Sequence, residues 1–142
     1  MYDLHDFLEP VNIHGLNEDS GYNDGQFARY IAVYETELPD ITESDIVLVG
    51  VKEYRGSGVF GDSSSASDII RKQLYQLHYW HSEIKIADIG NIKTGASLSD
   101  SYAAVKTVLL ELLKQNKTVV ILGGSHDITL AQYFAYKELG KV

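Results

Sequence analysis

The chain has 142 residues, 44% of them hydrophobic, with a formal net charge of −8 and no cysteine. That is enough apolar material for one modest core. The acidic balance argues against nucleic acid and anionic membranes as partners, and the missing cysteines exclude disulfides and thiolate metal sites. No apolar run approaches the ~20 residues that a membrane helix needs. The acidic start, Met1-Tyr2-Asp3-Leu4-His5-Asp6, lacks a signal-peptide pattern, so a soluble cytoplasmic protein is the expectation.

Residues 1–44 differ in composition from the rest of the chain. They are rich in Asn, Asp, Glu and Gly and hold both prolines, Pro10 and Pro39. Gly21-Tyr22-Asn23-Asp24-Gly25 is turn chemistry. Phe27, Tyr30, Ile31, Val33 and Tyr34 can pack on a main body. The segment is expected to be an irregular extension with one short helix. His5 and His14 lie in it without a partner pattern.

From Asp45 the pattern alternates strand and helix. Ile46 to Val51 is a continuous apolar run, as a strand buried on both faces requires. Gly56-Ser57-Gly58-Val59-Phe60-Gly61 has the spacing G-x-G-x-x-G. A dinucleotide loop would turn directly from strand to helix. Here Lys52 to Arg55 intervene and Asp62 to Ser65 delay the helix, so a pyrophosphate would miss the helix N-terminus. Ser67 to Tyr79 is predicted helical, with Ile70, Leu74 and Leu77 on one face and Ser67 as N-cap. His78 and His81 fall three apart near its end. A zinc pair would need further ligands, and histidines there already suit the helix dipole.

Ile84 to Ile89 is predicted as the second strand. Asp88 then falls at its end, supporting either a site or the Gly90 turn. Ser99 to Gln115 is the next helix, with Val105, Val108, Leu109 and Leu112 on one face and Ser99 or Asp100 as cap. Thr118 to Leu122 is the third strand. Ile128 to Leu139 is the last helix, closed by Gly140. Tyr75, Tyr79, Tyr133 and Tyr136 suit core and rim. The alternation implies an α/β fold, a three-layer αβα arrangement around a parallel sheet with right-handed crossovers.

Between the third strand and the last helix lies Gly123-Gly124-Ser125-His126-Asp127. Parallel strands share one carboxyl edge, and ligands bind there. His126 is therefore expected at that edge, on the side of the Gly56–Gly61 loop and Asp88. An imidazole so placed suits a metal or catalytic role; it equally suits capping or a local hydrogen bond.

Gly123-Gly124-Ser125-His126 resembles the Gly-Gly-x-His segment of the ureohydrolases, the family of arginase, agmatinase and formimidoylglutamase. Upstream, four more segments resemble that family in order: Asp45 to Val51, Arg55-Gly56 with Gly61, Ala66 to Arg71, and Ala87 to Gly90. The resemblance spans residues 45–142 and is nearest the formimidoylglutamase-like branch. It implies an arginase-like domain over 45–142, truncated to its first three strands, preceded by the 1–44 extension. It implies Mn²⁺ as cofactor, with His126 as one metal ligand and two ions in the complete enzyme. A metal-bridging hydroxide would hydrolyse a C–N bond of a small guanidino or formimino substrate, with N-formiminoglutamate as one candidate, in a homo-oligomer.

The departures are Ser125 and Asp127 where Asp and Ser are common, Ser67 in place of proline, and a long serine-rich stretch from Gly61 to Arg71. The family's Asp-x-His-x-Asp and Asp-x-Asp segments do not occur before Val142. This chain alone is thus expected to be inactive, and its uncovered sheet edge to favour self-association. Two other readings stay open: a non-catalytic folding or assembly fragment, and a nucleotide-binding α/β domain.

Overall fold

The structure is a computed structural model that describes residues 2–17, 21–59 and 61–142. Its elements in chain order are β1 (Leu8–Glu9), α1 (Ile13–Leu16), β2 (Ala32–Val33), β3 (Ile46–Val51), α2 (Ala66–Leu74), β4 (Ile86–Ile92), α3 (Leu98–Lys114), β5 (Thr118–Gly123) and α4 (Ile128–Glu138). The three strands expected from the apolar runs are parallel, with β3 between β4 and β5. Ile46 stands opposite Thr118 and Val51 opposite Gly123. No described helix is long and apolar enough to cross a membrane.

The sheet has five strands rather than three. Both added strands come from the N-terminal 44 residues and lie along β4. β1 pairs with it antiparallel at Asn91 and Ile92, and β2 parallel at Ala87 and Asp88. Two-residue strands carry no periodicity, so no sequence pattern announces them. The join depends on a shift in register between Leu48 and Gly50, which accommodates one extra residue of β4. Gly90 sits in that bulge at φ +82°, and a Cβ there would collide with the carbonyl oxygen of Glu9.

Helices α3 and α4 cover one face of the sheet. Val47, Val49 and Val51 meet Val105, Val108, Leu109 and Leu112 of α3 and Ile128, Ala131 and Ala135 of α4. Each buried Val or Leu contributes about 1.5–3 kcal/mol, well above the ~1 kcal/mol of a helix cap, so this stripe decides where α3 lies. The cap itself is Ser97, not Ser99 or Asp100. Its hydroxyl accepts from the Asp100 N–H while the Asp100 carboxylate accepts from the Ser97 N–H.

The opposite face, under α2, departs most from the sequence expectation. The helix ends at Leu74 rather than Tyr79, and its buried residues are Ser67 and Arg71 rather than Ile70, which is 40% exposed. Ser67 is not the N-cap; Ser65 holds that position. The helix stops because residues 75–79 bond instead to the N-terminal segment. The Phe27 N–H donates to the Leu77 carbonyl, the Ala28 N–H to Tyr75, and the Tyr79 N–H to Gly25. His78 faces Gln26 in a β-bridge. His78 and His81 therefore do not share a helix face, and the zinc-pair geometry does not arise.

Asp88 is likewise not at a strand end. It lies inside β4, fully buried, and holds Arg71 through two oxygens at 2.8 Å each. Tyr75 donates to Asp88 at 2.6 Å, and Arg71 also donates to Asn91 Oδ1 at 2.6 Å and to the Gly90 carbonyl at 2.9 Å. Burial pushes the Tyr75 phenol up, and the adjacent Asp88 charge adds to this, so it stays protonated. Burial alone would lower the Arg71 pKa, but the Asp88 partnership outweighs it and Arg71 stays charged.

Candidate functional site

Three loops meet beyond the carboxyl ends of the parallel strands. After β3 comes Lys52 to Ser57, ending in a tight turn over Arg55–Ser57 with Gly58 at φ +70°. After β4 comes Lys93 to Ser97, leading into α3. At the end of β5, Gly123 and the following Gly124 both take positive φ, +78° and +79°. Gly123 needs its bare Cα: a Cβ would press on the Ser67 N–H and the Val51 carbonyl at 3.0 Å. This turn carries the chain into Ser125, His126 and Asp127. His126 thus stands at the carboxyl edge, on the side of the Arg55–Gly58 loop, as expected, whereas Asp88, expected at the same edge, lies inside β4. Phe60, within the glycine-spaced segment, lies outside the described residues.

The anchor of this edge is a residue that sequence reasoning does not single out. Glu53 is 2% exposed and receives Arg55 in bidentate fashion: Nε at 2.9 Å to Oε1 and Nη2 at 2.6 Å to Oε2. The Ser101 hydroxyl of α3 donates to the same carboxylate at 2.6 Å. The Arg55 hydrogen bonds outweigh burial and hold the Glu53 carboxyl down to about 2. Arg55 also donates to the carbonyls of Ala96 and Gly95, at 2.9 and 2.8 Å. One ion pair therefore ties the loop after β3 to the loop after β4 and to α3.

The His126 loop hangs from the same anchor. The Ser125 N–H donates to the Glu53 carbonyl at 3.1 Å. Asp127 accepts from the Tyr102 hydroxyl on one oxygen and from the Ser125 hydroxyl on the other. Burial pushes the Asp127 carboxyl up, but the bonds from Ser125 and Tyr102 prevail and it lies below its ordinary range. The hydrogen bond to Asp127 and the Asp127 charge push the Tyr102 phenol up to about 12. His126 itself is exposed, and no hydrogen bond to its ring is found among the described residues. It lines an open cleft of about 270 Å³ with Gly124, Ser125, Thr129 and Gln132. The capping and local-bond readings of His126 find no support in this geometry.

A manganese centre needs several hard ligands from different loops. Among the described residues, no group of three or more His, Asp or Glu is placed to hold a metal. Glu53 is engaged by Arg55 and Ser101, and Asp127 by Tyr102 and Ser125. The described residues therefore do not make a complete manganese site, and His126 is the candidate ligand they present.

Comparison with known proteins decides the kinship of this edge. Residues 44–141 match the family model described as Arginase family. The chain belongs to the arginase family.

Over 130 residues this arginase-family chain is 28% identical to the formimidoylglutamase of Staphylococcus haemolyticus, covering 85% of the chain and 42% of that protein. Its fold matches the crystal structure of Trypanosoma cruzi formiminoglutamase with Mn²⁺ at TM-score 0.70 and 17% identity, over 82% of this chain and 41% of that one. It also matches a hypothetical agmatinase from Burkholderia thailandensis at TM-score 0.63 and 20% identity, over 88% and 41%. The chain thus spans about two fifths of the length of the relatives it matches.

The structure also explains the family-like motifs physically. Arg71, closing one motif, and Asp88 with Gly90, forming the next, are the two halves of one buried ion pair. Arg55-Gly56 and Asp127 likewise meet: a Cβ on Gly56 would land on the Asp127 carboxylate.

Proposed function

We propose that this chain supplies the His126 loop of a manganese-dependent ureohydrolase that hydrolyses a C–N bond of a small guanidino or formimino substrate. The observation that carries the reading is His126 itself. Its imidazole has no hydrogen-bond partner among the described residues, and it stands at the carboxyl edge on a loop fixed from two sides. Membership of the arginase family, the formimidoylglutamase relative and the Mn²⁺-containing structural neighbour support the substrate class and the metal. In this reading His126 is a neutral ligand, and the remaining ligands come from polypeptide other than the residues described. The chain's own share is to hold that imidazole still at the sheet edge. Glu53, Arg55 and Ser101 fix the backbone to which the loop is bonded.

A second reading, a folding or assembly unit without catalysis of its own, is favoured by the lack of a ligand cluster among the described residues. The two readings combine into one expectation. Incubated with Mn²⁺ and formiminoglutamate, agmatine or arginine, the polypeptide alone releases no formamide, ammonia or urea. It gains activity only when the part of an arginase-family relative that this chain does not span is supplied, and His126→Ala abolishes that gain. Full gain with His126→Ala would overturn the ligand role. Turnover by the polypeptide alone would overturn the incomplete site.

A further inference from the structure

We propose that Asp127 is a positioning residue, which with Tyr102, Ser125 and Gly56 locks the loop that presents His126, and that it is not a metal ligand. This rests on the reading of His126 as the functional group of the loop.

Two independent observations point to the lock. The first is that both Asp127 oxygens are engaged, Oδ1 by the Ser125 hydroxyl and Oδ2 by the Tyr102 hydroxyl. Ser125 is itself bonded through its N–H to the Glu53 carbonyl at 3.1 Å. The carboxylate therefore bridges α3 and the loop after β5, next to the anchor built on β3. Held this way, it faces its two hydroxyl partners, and it is not among the residues that line the cleft where His126 stands.

The second observation is Gly56. Its φ is not among the positive values, so its backbone conformation does not call for glycine. The space does. A Cβ at this position would strike the Asp127 carboxylate and approach the Tyr102 hydroxyl to 2.9 Å. A side chain at 56 would thus have to displace the Asp127 carboxylate and the Tyr102 hydroxyl, which couples position 56 to the Asp127–Tyr102 pair.

Coupled positions give non-additive effects, while independent ones add. Hydrogen exchange at the Ser125 amide, which donates to the Glu53 carbonyl, and at the Ile128 amide, which donates to the Ser125 carbonyl, reads local opening of the loop. Gly56→Ala should accelerate that exchange by about tenfold or more. In an Asp127→Ala background, where the loop is already loose, adding Gly56→Ala should change the rate little. Equal acceleration in both backgrounds would overturn the lock.

Tyr102→Phe serves if Gly56→Ala does not fold, since it removes one hydroxyl and keeps the ring. It should speed exchange at the Ser125 and Ile128 amides while the amides of β3 stay protected; unchanged exchange would overturn the proposal. Asp127→Asn separates positioning from ligation. The amide can still accept from Tyr102 and can donate to Ser125, so loop protection and any Mn²⁺ effect on His126 should persist. Loss of the Mn²⁺ effect with protection intact would make Asp127 a ligand and overturn the assignment. The exchange measurements use no metal, so a failure of the lock and a failure of the His126 reading are told apart.

Discussion

Glu53 shows how one side chain can organise an edge. Its carboxyl ionises at about 2 in the fold against an ordinary 4.5, chiefly through Arg55. The unfolded chain therefore takes up the proton more readily than the folded one. The stabilisation from this pair is complete above about pH 4.5 and is lost as the pH falls towards 2. Glu53→Gln removes that dependence. Its unfolding midpoint should fall less than the native one between about pH 6 and about pH 3, as followed by circular dichroism; parallel pH profiles would contradict the assignment. The chief partner of Glu53, Arg55, lies only two residues on, but nothing in the local sequence marks the pair as an anchor, because its other contacts, Ser101 and the carbonyls of Gly95 and Ala96, lie 40 or more residues away. His126 is legible because glycines and a strand end mark it locally.

Among the elements, legibility follows the source of stability. Strand β3 and helices α3 and α4 are readable because apolar burial drives them and leaves a trace, a continuous run in β3 and a helical stripe in α3 and α4. Helix α2 misleads for the opposite reason. The buried side chains here are Ser67, Arg71 and, just past its end, Tyr75, a polar stripe satisfied by Asp88 and Asn91 across the sheet. A search for apolar periodicity selects Ile70 and Leu77 instead, and both are substantially exposed. Strand β4 continues past Asp88 because β1 and β2 supply partners along its outer edge. The start of α3 gives a local check. Ser97→Ala removes one half of the capping box and should cost about 0.5–2 kcal/mol, a drop of a few degrees in Tm. Ser99→Ala leaves the capping box intact and should cost far less; equal losses would contradict the cap.

The molecule as a whole has a sheet closed on one side and open on the other. β4 is covered by β1 and β2, whereas no described strand pairs with the outer edge of β5. Val120 on that strand is 40% exposed, and Leu130, Tyr133 and Phe134 of α4 are 49%, 46% and 43% exposed. An open apolar edge is a template for another strand. The polypeptide should therefore self-associate with rising concentration in sedimentation experiments, and Val120→Lys should suppress this. A monomer at all concentrations would contradict the expectation.

The proposed role of this arginase-family chain requires that its carboxyl edge, and within it His126, be the face turned towards metal. The paramagnetic effect of Mn²⁺ on the nuclear magnetic resonance spectrum of the isotope-labelled chain reads this without an assay of turnover. With the part of an arginase-family relative that this chain does not span supplied unlabelled, small additions of Mn²⁺ should broaden the His126 ring signals and the amides of Gly124 and Ser125 before those of His5, His14, His78 and His81, and His126→Ala should remove the effect. Broadening centred on any of those other histidines, or unchanged by His126→Ala, would contradict the proposal.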